Sequence, residues 1–504
     1  MKKRAIINFI ASIAYQISNL LIGLIVPKLY TEIFGSVYNG LNQSVSQVMS
    51  LLNVLQFGIS AAAIQQMFKY IANNDENMIS AIYYDTAKQY RKMGYVFIAV
   101  IIPIIAVFPL MIKDELPYTI VVAFLLFRAI SSAMEYFFQA KYSVILIANN
   151  KSYAIYVFNT LLLLFSTGLH LIVLFTAKNI LLYQAVAVVS AIVRLVIVST
   201  YVKRQFPYLS KEKSKQCEVP KENKRKDVLV SEIAGMVIDS TDLLLLSTFS
   251  GLVYTSIYSI YSFVTSGLGN VLSSCREAVF AGLGKTYFSD FDEFQKQFSN
   301  FESVYLFLMF YLYSTAILLF KPFIEIYTAN MDANYVYVAM PIVFVCCRLI
   351  VNLRIPAIVT INTAGHFKQV KNYAVMEAVI NFVISIILVK PFGIYGVLAG
   401  TLIGAAYRTP LLIHYSNKYI VKRKGTEYLK KVIMWMPLFV SSCTLSVFAP
   451  IKCTSLMNWV LTAVPVASAI LVVSILWVLI FDRNLFNELL KIIKKFLHKG
   501  KKAE

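Results

Sequence analysis

The chain is a string of long apolar segments, and each segment is long enough to cross a lipid bilayer as a helix. A helix needs about 20 apolar residues to cross the hydrocarbon core, and only helices and closed barrels satisfy their backbone polar groups there. Transmembrane barrels are built from short alternating segments, whereas these runs are continuous. The sequence therefore predicts an all-α integral membrane protein with about fourteen transmembrane helices. The predicted spans are approximately 8–30, 41–66, 94–112, 117–139, 152–176, 180–201, 228–249, 253–281, 301–320, 335–359, 371–389, 394–416, 431–450 and 458–481.

The distribution of charge predicts the orientation of these helices. Hydrophobic residues make up 58% of the sequence and charged residues only 14%, which is too little charge for a soluble protein of this length. The basic residues, which give a net charge of +21, are concentrated in alternate loops. Because cytoplasmic loops of membrane proteins are enriched in Lys and Arg, both termini are predicted to be cytoplasmic. The placement of Lys and Arg in cytoplasmic loops accounts for the positive net charge, so no nucleic-acid partner is predicted.

An ordered series of landmarks in the first half recurs roughly 215–220 residues later. The matched landmarks are Gly35–Tyr38 with Gly251–Tyr254, Arg128 and Lys151 with Arg348 and Lys371, and Arg194 with Arg408. Chance matching among apolar helices is the alternative, but the conserved order favours a duplication. Many transporters are built from internal repeats, with the substrate path between them. The pattern therefore predicts a transporter made of two repeated helical bundles.

Polar stretches divide the chain into parts. The longest is 203–227, and it carries seven lysines and arginines between 211 and 226. The last segment places Leu485, Leu489 and Phe496 near one helical face and lysines on the other, which is typical of a helix lying on the inner leaflet. The predicted parts are an N-terminal bundle of helices 1–6 (1–202), a basic cytoplasmic linker (203–227), a C-terminal bundle of helices 7–12 (228–420), two additional transmembrane helices (421–483) and a basic amphipathic cytoplasmic tail (484–504).

The sequence carries no constellation that is typical of an enzyme. The four histidines are far apart, and no Cys, His or carboxylate spacing resembles a metal site. Gly282–Thr286 ends like a phosphate-binding loop, but the position of the first glycine holds Val279, and the segment follows an apolar helix rather than a strand. We therefore predict no catalytic residues, no metal and no cofactor.

Ionisable residues inside the predicted spans are the candidate functional residues, because an intramembrane charge is costly unless it faces water or a partner. Arginine suits a phosphate, since its planar guanidinium offers paired hydrogen bonds and stays charged. Two interpretations stay open, an anion-binding cavity or charges that pair with each other to fix helix packing. The arginines that we assign to a cavity are Arg276, Arg348, Arg354 and Arg128. The candidates for binding a coupling ion or for pairing with these arginines are the acidic residues Asp239, Asp242, Glu232 and Glu377.

Three tyrosines, Tyr254, Tyr258 and Tyr261, stand about one turn apart in the eighth predicted span. Aromatic faces pack against the apolar faces of sugars, and phenols can hydrogen-bond to hydroxyl groups. An interfacial aromatic belt or a packing stripe is the alternative. The spacing makes these residues candidate sugar contacts.

Several short motifs, in order along nearly the whole chain, resemble bacterial polysaccharide-biosynthesis membrane proteins. These are Wzx-type oligosaccharide flippases of the multidrug/oligosaccharidyl-lipid/polysaccharide (MOP) exporter superfamily. The motifs are Pro27 followed by Gly35, Tyr38 and Gly40-Leu41; Ser240-Thr-Asp242-Leu-Leu-Leu followed by Gly251 and Tyr254; Asn362-Thr-Ala-Gly-His-Phe-Lys368; Glu377-Ala-Val-Ile-Asn381; and Phe392-Gly-Ile-Tyr-Gly-Val-Leu-Ala-Gly-Thr401.

The resemblance implies two bundles around a central V-shaped cavity that opens alternately to each side of the bacterial cytoplasmic (inner) membrane. It implies that the substrate is an undecaprenyl-pyrophosphate-linked oligosaccharide, moved from the inner to the outer leaflet for a surface polysaccharide such as capsule or O-antigen. The lipid bilayer and other polysaccharide-assembly proteins are the implied partners. The buried arginines agree with this expectation, because a pyrophosphate needs buried cations.

Two related functions remain alternatives. A cation-coupled multidrug exporter of the same superfamily would favour acidic rather than basic cavity residues. A flippase for a lipid II-type peptidoglycan precursor usually has arginines in its first helix, whereas this one has only Lys28 near its outer end. A membrane glycosyltransferase is disfavoured, because the longest predicted outer loop, at about 321–334, is short for a catalytic domain.

Overall fold

The described part of the chain is helical throughout. A computed structural model describes residues 2–53, 56, 59–112, 116–149, 151–210, 226–483 and 485–486, and these contain no strand. In chain order the helices are α1 (Lys2–Phe34), α2 (Ser36–Asn53), α3 (Ile59–Ala72), α4 (Glu76–Met111), α5 (Tyr118–Met134), α6 (Ala140–Ala148), α7 (Ser152–Ile172), α8 (Ile180–Gln205), α9 (Lys226–Phe249), α10 (Leu252–Ser289), α11 (Phe291–Tyr327), α12 (Met340–Leu353), α13 (Ile355–Ala364), α14 (Phe367–Phe392), α15 (Ile394–Tyr415), α16 (Gly425–Phe448) and α17 (Leu456–Phe481). Short π-helical segments follow α5 (Glu135–Gln139), α7 (Val173–Ala177) and α15 (Ser416–Val421).

These helices confirm the predicted all-α membrane architecture. Within the described residues, eleven helical segments are long and apolar enough to cross a membrane. The α2–α3 pair, α9 and α10 lie at the three other predicted spans. Helices α4, α10 and α11 run for 36, 38 and 37 residues. A hydrocarbon core needs only about 20, so these helices are long enough to extend beyond it.

The repeated Gly-x-Val-Tyr landmark forms the same structure in both places. Gly35 separates α1 from α2 at φ +92°, and Gly251 separates α9 from α10 at φ +109°. These are left-handed backbone angles, which glycine adopts without a Cβ clash. In each copy the glycine carbonyl accepts a hydrogen bond from the amide four residues later, at 3.2 Å for Asn39 and 3.3 Å for Thr255. The sequence match is therefore also a match of backbone geometry.

The two landmark helices, α2 and α10, meet just after their glycines. Asn39 Nδ2 donates a buried hydrogen bond to Ser256 Oγ at 2.7 Å. A Cβ atom on Gly40 would lie 1.8 Å from the carbonyl oxygen of Leu252. Only glycine allows the two backbones to approach this closely, which is the usual role of small residues between membrane helices.

The chain divides into two compact units, Met1–Ile257 and Tyr258–Glu504. In the first unit, Phe97 of α4 stacks on Tyr136 at a centroid distance of 5.1 Å, and the Tyr136 hydroxyl donates to the Leu52 carbonyl at 2.8 Å. In the second unit, Phe310 of α11 stacks on Trp435 of α16 at 6.1 Å. Residues 211–225 of the predicted linker, and 484 and 487–504 of the predicted tail, lie outside the described residues, so both remain predictions.

The two additional helices, α16 and α17, pack on the second unit through indole hydrogen bonds. Trp459 of α17 donates to the Leu319 carbonyl of α11 at 3.0 Å. Trp477 donates to the Met434 carbonyl of α16 at 2.9 Å. Much of the rest of α17 is apolar and exposed, with Ile480 at 68%. Such a helix is stable in hydrocarbon rather than in water.

Candidate functional site

The second unit contains a buried cluster of two arginines around one glutamate, which we call the Glu377 triad. Glu377 lies on α14, Arg354 at the junction of α12 and α13, and Arg408 on α15. Arg354 Nη1 donates to Glu377 Oε1 at 2.6 Å, and Arg408 Nη1 donates to Oε2 at 2.7 Å. The Glu377 side chain is only 3% exposed. Charge-assisted hydrogen bonds of this length are among the stronger polar contacts in proteins.

Local sequence brings these three side chains together. Pro356 stands in the first turn of α13, so the chain breaks its helix at Arg354 and turns that side chain inward. Helix α15 carries Gly396, Gly400 and Gly404 at four-residue spacing, all facing α14. A Cβ at Gly396 would lie 2.1 Å from a backbone oxygen of α14, and one at Gly400 would lie 2.8 Å from another. This close approach of the helices lets Arg408 reach Glu377.

The triad leaves its positive charge incompletely balanced. Two guanidinium groups face one carboxylate, a formal excess of one positive charge. Each arginine contacts Glu377 through Nη1, and the Nε of each is enclosed with no hydrogen-bond partner among the described residues. The Nε and Nη2 donors form the edge of a guanidinium that binds two oxygens side by side. These donors suit an oxyanion chemically, and in this conformation both Nε atoms are enclosed by protein, so an oxyanion reaches them only if the surrounding helices move apart.

In the first unit, Arg128 has only neutral hydrogen-bond partners. Its Nη2 donates to Asn42 Oδ1 at 3.0 Å, and Gln184 Nε2 donates to the same oxygen at 3.2 Å. The Arg128 Nε is enclosed and without a partner, and within the described ranges no carboxylate forms an ion pair with it. Tyr183 lies beside the cluster, with the His170 ring stacked on it at 4.1 Å. Asn42 thus holds the guanidinium without neutralising it.

The other predicted arginines and acids are placed as follows. Arg276 lies on α10 and Arg348 on α12, both partly buried. Asp242 lies on α9 and is 4% exposed. Glu232 and Asp239 also fall within α9, but their side chains lie outside the described ones. Among the predicted site residues, the described contacts join Arg354 to Glu377. The roles of the other predicted arginines and acids stay predictions.

The three candidate tyrosines differ in accessibility. Tyr258 and Tyr261 pack against Phe344 at centroid distances of 5.0 and 5.4 Å, and they are 7% and 1% exposed. The Tyr261 hydroxyl donates to the Tyr335 carbonyl at 2.8 Å. These contacts correspond to the packing-stripe alternative for both residues in this conformation. Tyr254 is 44% exposed.

Sequence reasoning missed two features of the second unit. Arg408 was recognised as a repeat landmark and as a charge that ends the twelfth predicted span, but it was not assigned to the site, because nothing local shows that it meets a glutamate 31 residues earlier. Glu302 of α11 was not singled out, yet it is buried and accepts hydrogen bonds from Arg423 and, at 2.9 Å, from Lys431. The available signal was a lone glutamate in the otherwise apolar ninth predicted span.

Comparison with known proteins identifies the fold. Neither a protein-family model nor a curated protein matches this sequence. The lipid II flippase MurJ in an inward closed conformation aligns with a TM-score of 0.63 at 17% identity, over 95% of this chain and 99% of its own. A multidrug resistance MATE family transporter of the MOP superfamily, in an inward-facing conformation, aligns with a TM-score of 0.63 at 12% identity, over 84% and 99%.

A MATE transporter from Vibrio cholerae also aligns, with a TM-score of 0.53 at 12% identity, over 85% of this chain and 99% of its own. One of these three similar proteins is a flippase and the other two are transporters. At identities this low, structural likeness is evidence about fold and not about substrate. The chain has the fold of the MOP-superfamily transporters.

Proposed function

We propose that this protein is a flippase that moves undecaprenyl-pyrophosphate-linked oligosaccharides from the inner to the outer leaflet of the bacterial cytoplasmic membrane by alternating access. The export of a surface polysaccharide would be its biological role. The observation that carries the proposal is the Glu377 triad, in which Arg354 and Arg408 keep unoccupied Nε donors beside a single carboxylate.

A pyrophosphate headgroup matches this arrangement. It carries several oxygens and more than one negative charge, and paired guanidinium edges bind such oxygens with fixed geometry. An anion bound at the triad also balances the excess positive charge, which is unfavourable inside a membrane. Arg128 in the first unit offers a second guanidinium with an unpartnered Nε. Both arginine sites therefore favour an anionic substrate.

The sugars and the prenyl tail of the proposed substrate also have counterparts in the protein. The sugars are amphipathic, and the exposed Tyr254 ring offers them a stacking surface with a phenol. The prenyl tail is hydrocarbon and stays in the lipid around the exposed apolar helices. The excess of Lys and Arg in alternate loops supports an orientation with both termini in the cytoplasm.

Two alternatives share the same fold. A lipid II-type substrate is suggested by the MurJ likeness, and a multidrug substrate by the MATE likeness. Multidrug substrates that are organic cations would be repelled by a triad with excess positive charge. Lipid II also carries a pyrophosphate, so the triad does not separate it from other lipid-linked oligosaccharides. The sugar portion has to be varied to make that distinction.

A binding measurement on the purified protein in lipid nanodiscs tests the proposal. The probes are undecaprenyl pyrophosphate, the same lipid bearing an oligosaccharide, lipid II and ethidium as an organic cation. Arg354→Lys and Arg408→Lys keep the charge but remove the guanidinium edge, so we expect pyrophosphate binding to weaken about tenfold or more in each variant. The matched control is Arg204→Lys, at an exposed position on α8.

Unchanged pyrophosphate binding in both triad variants would contradict the assigned site. Binding of ethidium but not of undecaprenyl pyrophosphate would favour the multidrug alternative. Preference for lipid II over the other oligosaccharide lipid would favour the peptidoglycan-precursor alternative.

A further inference from the structure

Three helices of the first unit bring basic side chains together just outside the predicted membrane spans. Lys141 lies on α6, and Arg91 of α4 and Lys203 of α8 are close enough to repel its ammonium group electrostatically. Each of the three residues stands two or three positions beyond a predicted span, on the side that is predicted to be cytoplasmic. We call Arg91, Lys141 and Lys203 the basic cluster.

The packing of α4, α6 and α8 holds the basic cluster in place. Tyr83 of α4, Tyr142 of α6 and Val202 of α8 are buried in one hydrophobic core. Lys141 Nζ lies over the rings of Tyr83 and Tyr142, at 5.9 and 5.2 Å from their centroids. Aromatic faces attract a cation through their quadrupole and carry no net charge. The two rings therefore position the ammonium group without neutralising it.

No carboxylate neutralises the basic cluster within the part of the chain that the structure describes, because none of its three members is in an ion pair there. Asp85, the nearest acidic residue along α4, accepts a hydrogen bond from Gln89 Nε2 at 2.7 Å instead. Lys151 donates to the neutral Gln205 Oε1, at the end of α8, at 2.6 Å and adds a fourth positive charge. Like charges held together in this way repel one another, and a bound anion offsets the repulsion.

The side of the basic cluster towards the membrane interior is apolar and exposed. Tyr95 follows Arg91 by about one turn of helix, and Phe138 precedes Lys141 by about one turn, so each pair shares a helical face. Tyr95 is 62% exposed and Phe138 is 51% exposed. The Tyr95 ring also contacts the neighbouring Phe137 ring edge to face at 5.2 Å, which joins α4 to the π segment at this level. The cations are therefore bordered by a surface that suits hydrocarbon chains, and this combination matches a lipid rather than a soluble anion.

We propose that the basic cluster binds the phosphate headgroup of an anionic phospholipid in the inner leaflet, with the acyl chains lying against Tyr95 and Phe138. Basic pockets between transmembrane helices on the cytoplasmic side are suited to anionic headgroups. A zwitterionic phospholipid has no net charge and would leave the excess positive charge in place. The site uses none of the arginines assigned to the flippase substrate, so it does not depend on the proposed function.

Native mass spectrometry of the purified protein in a neutral detergent tests the proposal. The probes are phosphatidylglycerol, phosphatidylcholine with the same acyl chains, and inorganic phosphate. We expect phosphatidylglycerol to bind in preference to phosphatidylcholine and to resist displacement by equimolar inorganic phosphate. Arg91→Gln and Lys141→Gln should each weaken phosphatidylglycerol binding about fivefold, since each removes one cation that faces the headgroup.

The matched control is Lys430→Gln, which removes the same charge from an exposed position one residue before a predicted span, also on the predicted cytoplasmic side. Its affinity for phosphatidylglycerol should equal that of the unmodified protein. Arg91 is itself exposed, so Arg91→Gln tests the site even if Lys141→Gln fails to fold.

Equal binding of the two phospholipids would overturn the proposal. An equal loss in Lys430→Gln and Arg91→Gln would also overturn it, because that result would show a general attraction between anionic lipid and a basic protein surface. Displacement of phosphatidylglycerol by inorganic phosphate would show a site for soluble anions instead. None of the probes is the flippase substrate, so failure of pyrophosphate binding at the Glu377 triad would leave this result unaffected.

Discussion

Arg354 and Glu377 form a 2.6 Å hydrogen-bonded ion pair in the interior of the second unit. The pair joins the proline-associated break between α12 and α13 to the middle of α14. Arg408 binds the other carboxylate oxygen, so three helical elements depend on one glutamate. This arrangement gives Glu377 a structural role that can be measured apart from transport.

Replacement of Glu377 should strongly destabilise the second unit. Glu377→Gln leaves two buried guanidinium groups without a carboxylate, and breaking a buried ion pair costs about 3–5 kcal/mol. The control is Glu325→Gln, because Glu325 forms a 3.7 Å pair with Lys321 and is 39% exposed. Exposed pairs contribute about 0–1 kcal/mol. Thermal unfolding in detergent should show a large decrease for Glu377→Gln only, and similar melting of both variants would contradict the buried triad.

The glycine contact between α2 and α10 should not tolerate a methyl group. A Cβ at Gly40 would lie 1.8 Å from the Leu252 carbonyl oxygen, so Gly40→Ala must move a backbone and should cost on the order of 2 kcal/mol. At Gly168 of α7 a Cβ meets nothing within 4 Å. There Gly168→Ala should be neutral or stabilise slightly, since alanine favours helix. The melting temperatures of the two alanine variants test this contrast, and equal values would refute the close approach.

Glu302, Arg423 and Lys431 form a cluster that should control the attachment of α16 to α11. In Glu302→Gln, Arg423 and Lys431 lose their shared carboxylate and repel each other. We expect faster hydrogen exchange across residues 423–435 than in the unmodified protein. Glu427→Gln is the matched control, because Glu427 is exposed on the same helix. Equal exchange in both variants would show that Glu302 does not hold this helix.

The fold could be predicted from the sequence because the membrane leaves few options. The hydropathy of the long apolar segments was sufficient to predict the helices. The repeat of Gly35–Tyr38 at Gly251–Tyr254, from which we predicted a duplication, coincides with two equivalent helix junctions. These signals are local or periodic, so they can be read without knowledge of contacts.

The candidate site was less predictable because its contacts are distant in sequence. Glu377 and Arg354 were both recognised as intramembrane charges, but the sequence left open whether they bind a ligand or pair. The contact between Arg408 and Glu377 depends on the glycines of α15, which bring that helix close to α14. The tyrosine stripe likewise has one spacing, but the structure buries Tyr261 and exposes Tyr254. The spacing predicts that the tyrosines share one helical face, but it does not predict which residues surround each ring.

Movement of the substrate between leaflets is the most direct test of the central claim. A fluorescent undecaprenyl-pyrophosphoryl oligosaccharide is placed in vesicles that contain the protein, and a membrane-impermeant quencher measures the fraction of the lipid in the outer leaflet. The unmodified protein is compared with Arg276→Ala, Arg348→Ala and Arg408→Ala. Arg204→Ala is the control. The flippase account predicts protein-dependent movement that the Arg204 variant retains and the other variants lose. Absence of movement with the unmodified protein, together with proton- or sodium-dependent efflux of organic cations, would contradict the account.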